Sequence, residues 1–219
     1  MIPLYDTART RRLPIVNWLL IALNVLVFLY EISLSQSGLE RLTRIWGLVP
    51  ASLLSHPQVA WITILSSMFL HGGWFHIISN MWVLFIFGDN VEDRMGGGRY
   101  LIFYLLSGAA AALLQSYLLP TSREPMIGAS GAIAGVLGAY LLLFPQARIA
   151  SLVPIFFIFT IINIPAPIFL LFWFVSQLFS GWLTLGGAGG SGVAWWAHVG
   201  GFVFGMVAAF IFARRREYY

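Results

Sequence analysis

Residues 126–140 read MIGASGAIAGVLGAY, and they place one hydroxyl, that of Ser130, among small residues at the start of an apolar run. The glycines of this stretch recur every three or four positions, at Gly128, Gly131, Gly135 and Gly138. On an α-helix that spacing puts them on one face, and small residues on one face let two membrane helices approach backbone to backbone. The stretch therefore predicts a membrane helix that packs by its glycine face and carries a serine in its first turn.

The whole chain has the composition of a membrane protein. Its 219 residues are 59% hydrophobic and 9% charged, whereas soluble domains are about half apolar and about a quarter charged. All 12 basic residues are arginines, and they cluster at the chain ends and in short connections rather than on one face. This distribution indicates contact with a lipid bilayer and no nucleic-acid partner. The absence of cysteine excludes disulfides, thiolate metal sites and a cysteine nucleophile.

Apolar runs long enough to cross a bilayer predict an all-α membrane protein, a six-helix bundle. The predicted spans are 14–34, 73–90, 100–119, 130–144, 152–180 and 193–213. The first is interpreted as an uncleaved span, because it is long for a signal peptide and lacks a small-x-small cleavage site. The fifth contains Pro154, Pro165 and Pro167, which predict a kink or an initial loop at the membrane surface.

The arginines predict the orientation of this bundle, since short cytoplasmic connections carry the excess of positive charge. With the N-terminus inside, the outer side holds only Arg41, Arg44 and Arg123. The inner side holds the rest, namely Arg9, Arg11, Arg12, Arg94, Arg99, Arg148, Arg214, Arg215 and Arg216. Both termini are therefore predicted to be cytoplasmic, with loops 35–72, 120–129 and 185–192 outside. The chain divides into an N-terminal segment (1–13), a membrane domain (14–213) and a basic tail (214–219).

In this topology the second, fourth and sixth spans all begin at the outer face, and each has polar residues in its first turns. His76 and Asn80 lie four positions apart on one face of the second span, with His71 just before it. His198 lies roughly 7 Å below the start of the sixth span at a rise of ~1.5 Å per residue. The fourth span is only ~22 Å long against a bilayer core of ~30 Å, so Ser130 must begin at a similar depth.

A second stripe of small residues brings these polar groups together. On the sixth span it starts at the histidine and continues at helical spacing, through His198, Gly201 and Gly205. Packing of this stripe on the glycine face of the fourth span puts the His198 imidazole within hydrogen-bonding reach of the Ser130 hydroxyl. The pattern predicts a Ser–His dyad without an acidic third member.

The polar residues of the chain allow several other interpretations. A zinc site built from the histidines is disfavoured, because the HExxH pattern is absent and Asn is a poor zinc ligand, so no metal is expected. A transporter would need ionisable groups or broken helices in paired positions of two halves, and the chain shows neither. Glu31 is interpreted as an interfacial polar residue and His71 as an interfacial anchor. Three acids near the end of the second span are expected to bond helix ends or Arg94, namely Asp89, Glu92 and Asp93.

Three segments resemble the signature blocks of the rhomboid intramembrane serine proteases: HGGWFHIISN at 71–80, GASGAIAG at 128–135 and AHVGGFVFG at 197–205. The resemblance runs from about residue 45 to the end of the chain. It implies a six-helix rhomboid-like bundle that needs no cofactor and cleaves transmembrane proteins. Their cleavage sites are expected to have helix-destabilising or small residues nearby, with access beside the fifth span at 172–174. The alternative in the same family is a catalytically inactive rhomboid-like binder.

The resemblance also implies roles for individual residues. Ser130 is the expected nucleophile and His198 its general base. The side chains of His76 and Asn80, with the backbone N–H of Ser130, are the expected oxyanion hole, and the supporting positions are His71 and Gly128. The sequence departs from some relatives at Ala134, where they stack an aromatic residue on the catalytic histidine. The multi-pass chain is expected in a prokaryotic plasma membrane.

Overall fold

The computed structural model describes residues 1–155, 158–185 and 192–214. Within these ranges the helices are α1 (Ile15–Ser33), α2 (Gln36–Trp46), α3 (Pro50–Ser55), α4 (Pro57–Ala60), α5 (Thr63–Ser66), α6 (Trp74–Met95), α7 (Gly97–Leu118), α8 (Ser130–Leu143), α9 (Ala166–Leu185) and α10 (Trp195–Phe212). The strands are β1 (Ile2–Asp6), β2 (Arg148–Ile155) and β3 (Ile158–Pro165). The predicted tail at 214–219 lies outside the described residues except for Arg214, and so does the predicted loop at 185–192 except for its two end residues.

The protein is mostly helical and has several candidate membrane spans. Four helices of the described chain are long and apolar enough to cross a bilayer, namely α1, α7, α9 and α10. A fifth candidate joins residues 63–69 to α6 through a bend of 96°. The remaining predicted span is α8, which is apolar but has only 14 residues. A helix thus lies at every predicted position, while four or five of these helices have the length and composition of a span.

Helix α8 is the centre of the bundle. All of its residues from 132 to 141 are buried, as expected for a helix that is apolar all round. Its glycine stripe lies directly against that of α10: a methyl group on Gly201 would collide with the backbone oxygen of Gly131, and one on Gly205 with that of Gly135. These close contacts place the first turns of α8 and α10 side by side.

The prediction of an all-helical fold is wrong for residues 2–6 and 148–165. They form a three-stranded antiparallel sheet in the order β1-β2-β3, so the fifth predicted span is two strands followed by α9. Isoleucine, valine and threonine make up half of the residues of β2 and β3, and such residues favour strands. Pro154 and Pro165, interpreted from the sequence as marking a kink or an initial loop, lie within β2 and at the end of β3 instead.

Strand β1 fastens the N-terminus to the helices. The indole Nε1 of Trp82 on α6 donates to the carbonyl of Pro3 at 2.6 Å. Farther along the strand, Oδ2 of Asp6 accepts hydrogen bonds from the Tyr140 hydroxyl of α8 at 2.5 Å and from Nδ2 of Asn90 on α6 at 2.9 Å. One carboxyl therefore joins two helices, and its burial raises the pKa of Asp6 above the ordinary value despite these hydrogen bonds.

Asp6→Asn is expected to weaken the pH dependence of stability. Because the pKa of Asp6 is raised in the folded state, the folded protein binds this proton more tightly than the unfolded chain, where the pKa of aspartate is about 3.9. The resulting stabilisation is complete below about pH 4 and is lost as the pH rises through the folded pKa. The melting temperatures of both proteins are measured in one detergent from acid to neutral pH. As the pH rises, the melting temperature of the variant should increase relative to that of the wild type. A difference that stays constant would contradict this expectation.

The acids near the far end of α6 bind backbone amides. The two carboxylate oxygens of Glu92 accept the N–H groups of Val16 at 3.1 Å and Asn17 at 2.7 Å, which are free donors in the first turn of α1. Asp93 accepts the backbone N–H of Arg11 at 3.3 Å. The prediction that these acids bond helix ends is confirmed for Glu92.

Candidate active site

Ser130 and His198 are in direct contact. Nε2 of His198, in the first turn of α10, lies 2.8 Å from the Ser130 hydroxyl, which opens α8. Both side chains are half-buried and line a cavity of about 480 Å³. The contact follows from the glycine stripes, which bring the two backbones too close for any larger side chain between them.

A glutamine on α9 contacts the other ring nitrogen of the histidine. Nδ1 of His198 lies 2.7 Å from Oε1 of Gln177, a side chain only 6% exposed. Sequence reasoning predicted no acidic third member and overlooked this neutral one. A signal was available, because Trp173 and Gln177 are four positions apart and so share a helical face.

Two tryptophans border the imidazole of His198. The ring centroid of Trp173 lies 5.9 Å from that of the imidazole, with an interplanar angle of 33°. The ring centroid of Trp195 lies 6.0 Å from that of the imidazole, with an interplanar angle of 90°. Ala134, the position at which some relatives carry an aromatic residue, is buried in α8 and offers only a methyl group. Trp173 lies over the imidazole from α9, although sequence reasoning placed it on the access path. Its neighbour Phe172 is exposed.

Two N–H donors on α6 face the same cavity. Nδ1 of His76 accepts the backbone N–H of Gly72 at 3.3 Å, so the proton of the neutral ring is on Nε2. Nδ2 of Asn80 is buried and has no hydrogen-bond partner among the described residues. Unpaired buried donors are rare in folded proteins, and this one lies in a cavity beside a serine. The two donors are suited to an incoming oxygen that carries negative charge.

Gly128 makes room for these donors. Its φ of +121° is a conformation that favours glycine, and a Cβ atom there would lie 2.7 Å from Nε2 of His76 and 3.7 Å from Nδ2 of Asn80. Any larger residue would thus press on the donor pair.

The segment before α6 is held from α1, and this corrects two interpretations. Glu31 is not an interfacial residue: it is 1% exposed, and its two carboxylate oxygens accept the backbone N–H of His71 at 3.2 and 3.1 Å. His71 is also only 1% exposed, so it does not anchor the protein at an interface. Its ring lies 5.0 Å from that of His76, edge to face, so it supports the donor histidine. Within the described residues, no group of three or more potential metal ligands occurs.

One known family and several known proteins match much of this chain. Residues 58–215 match the family model described as Rhomboid domain. Rhomboid protein 1, mitochondrial, of Saccharomyces cerevisiae is 30% identical over 132 residues, which are 58% of this chain and 38% of that protein. Rhomboid protease GluP of Bacillus subtilis is 36% identical over 129 residues, 58% of this chain and 24% of its own length. Presenilin-associated rhomboid-like protein, mitochondrial, of Homo sapiens is 31% identical over 191 residues, 85% of this chain and 45% of its own.

The extent of these matches decides what they establish. The chain spans less than half the length of each of these relatives, so their complete activities do not transfer with the likeness. The family model, in contrast, covers well over half of the chain and includes all four polar residues of the cavity discussed above. The chain therefore belongs to the rhomboid family.

Proposed function

We propose that this protein is an intramembrane serine endopeptidase that hydrolyses peptide bonds in or near transmembrane segments of membrane proteins. The observation that carries the proposal is the 2.8 Å contact between Nε2 of His198 and the Ser130 hydroxyl. The unpaired amide of Asn80 in the same cavity supports it, as does the similarity to a Bacillus subtilis relative that is named a protease.

The geometry suits acyl transfer. Nε2 of His198 takes the Ser130 proton as the hydroxyl oxygen attacks the substrate carbonyl. The oxyanion that forms is stabilised by Nε2–H of His76, Nδ2–H of Asn80 and the backbone N–H of Ser130. The imidazolium then protonates the leaving amine, and water hydrolyses the acyl-enzyme with the same histidine as base. These steps need no cofactor.

The proposed function carries an expectation about substrates. Amides of a transmembrane helix are shielded by their own hydrogen bonds, so the substrate must unwind locally before a carbonyl can reach Ser130. The free-energy cost of unwinding is lowest for substrates with helix-destabilising or small residues near the scissile bond. We expect membrane proteins of this kind to be the substrates, and we expect them to lie in the same lipid bilayer as this protein.

Cleavage of a transmembrane reporter tests the function. The purified protein in liposomes should cut a reporter that has a Gly- or Pro-containing transmembrane segment, and mass spectrometry should locate the cut in or beside that segment. An isocoumarin probe should label the protein, and chelators should not affect either result. A reporter that binds but is never cut, with no labelling by the probe, would reject the endopeptidase and favour an inactive rhomboid-like binder.

We further propose six spans with both termini cytoplasmic, in the plasma membrane of a prokaryote. The arginine distribution and the helices at all six predicted positions support this arrangement. The cysteine-free sequence makes the test simple. Both Thr10 and Thr121 are exposed on the protein, so a cysteine at either position can react when the reagent reaches it. In intact cells, an impermeant maleimide should label Thr121→Cys, and it should label Thr10→Cys only after lysis. The reverse pattern would reject the orientation.

A further inference from the structure

The hydrogen bonds of Gln177 fix which way its amide points. Its Nε2 donates to the Trp173 carbonyl at 3.3 Å and to the Ser176 hydroxyl at 2.9 Å. A carbonyl oxygen can only accept, so the amide atom that faces the Trp173 carbonyl must be the nitrogen. The amide oxygen is therefore the atom that faces His198.

This orientation in turn selects one tautomer of His198. Oε1 of Gln177 only accepts hydrogen bonds, so the contact of 2.7 Å requires a proton on Nδ1 of the imidazole. The neutral ring then has its lone pair on Nε2, which lies 2.8 Å from the Ser130 hydroxyl. The other tautomer would set two lone pairs against each other at Gln177 and leave no base at the serine.

We infer that Gln177 is a positioning residue, which holds His198 in the orientation and tautomer that make Nε2 the base for Ser130. The inference rests on the proposed function, in which His198 is the general base. Helix α9 thereby contributes to the site although no hydrogen bond is described between its side chains and the serine. Because the amide is neutral, it orients the imidazole without the added stabilisation of the imidazolium that a carboxylate gives.

The surroundings of His198 contain few charged groups, so the effect of a new charge at position 177 on the imidazole can be measured. The titratable side chain that faces it from α6 is His76, while α8 provides the Ser130 hydroxyl and α9 the neutral Gln177. Among the described residues that line the cavity there is no Asp, Glu, Lys or Arg. A carboxylate placed at residue 177 would be the one acid beside the imidazole in this part of the chain.

Two substitutions separate positioning from simple packing. Gln177→Leu keeps the volume but removes the acceptor, so we expect kcat for the reporter to fall about tenfold with KM unchanged. Gln177→Glu restores an acceptor, so kcat at high pH should recover. Its carboxylate also stabilises the imidazolium, so the acidic limb of the pH–rate profile should move about one pH unit or more upward. Thr184→Val is the matched control on α9, because that hydroxyl bonds to the Gly181 carbonyl, and it should change neither quantity.

Histidine tautomers give a readout that does not depend on activity. The chain has four histidines, and ¹⁵N-histidine NMR of the purified protein should show His198 with its proton on Nδ1 and His76 with its proton on Nε2. If the neutral imidazole of His198 carries its proton on Nε2, the inference is overturned, even if Gln177→Leu fails to fold. Wild-type kcat in a folded Gln177→Leu, or an unmoved pH profile in Gln177→Glu, would also overturn it. If the wild-type protein shows the Nδ1 tautomer but cuts no reporter, the proposed function fails, while the orientation and tautomer that Gln177 imposes on His198 still hold.

Discussion

Ser130→Ala is expected to reduce reporter cleavage to background, a loss of about 10⁴-fold or more, because no acyl-enzyme can form without the hydroxyl. The change should cost little stability, since the hydroxyl makes its one described side-chain hydrogen bond to His198 and alanine suits the first turn of a helix. Initial rates on a single transmembrane reporter measure the loss.

A thermal unfolding curve and a probe assay control this experiment. Ser130→Ala should melt close to the wild type and should not be labelled by the isocoumarin. Probe labelling that persists in the variant would show that another residue is the nucleophile, and the proposed dyad would be wrong.

Asn80→Ala is expected to lower kcat by about 10²–10³-fold, the usual cost of losing one oxyanion donor, with KM nearly unchanged. In the resting protein, Nδ2 of Asn80 has no hydrogen-bond partner among the described residues. The substitution therefore breaks no described hydrogen bond of that nitrogen, and we expect no fall in melting temperature from a lost hydrogen bond. His76→Ala should have a similar effect on kcat. The measurement is the steady-state turnover of the reporter beside that of the wild type.

Acids at the other end of the same helix provide the control. Asp89→Asn and Asp93→Asn alter α6 more than a turn beyond the cavity, so both should retain turnover if they fold. Full activity in Asn80→Ala would mean that α6 takes no part in the chemistry. A stable Asp89→Asn that is as inactive as Ser130→Ala would place the chemistry elsewhere.

The long helices at the six predicted spans were predictable from sequence, whereas the sheet and the short helices α2 to α5, which lie in the predicted loop 35–72, were not. Long apolar runs between short charged connections mark the helices, because a bilayer demands about 20 such residues in a row. The same hydropathy criterion fails at residues 148–165, since a strand and a buried helix can be equally apolar. The strand signal was in the β-branched residues around Pro154, but the partner strand β1 is too distant in sequence for any local pattern to predict it.

The polar residues of the cavity were predictable to the extent that they stand out from an apolar background. Ser130 lies beside one glycine stripe and His198 begins the other, and those stripes do lie against each other. Gln177 was overlooked because it lies outside both glycine stripes and outside the three segments 71–80, 128–135 and 197–205, so no sequence pattern connects it with His198. Glu31 was misjudged for the opposite reason: an acid near the end of a span suggests an interface, whereas its partner is a backbone amide of a segment distant in sequence.

Strand β1 has a consequence for how the protein is made. The backbone N–H of Arg148, at the start of β2, donates to the side chain of Thr7, a residue 141 positions earlier. During synthesis the first residues of the chain must wait for α1, α6, α7 and α8 to be assembled before their pairing partner exists. Closing a loop of that length costs entropy, so we expect the β1–β2 pairing to form later in folding than the pairing of β2 with its sequence neighbour β3.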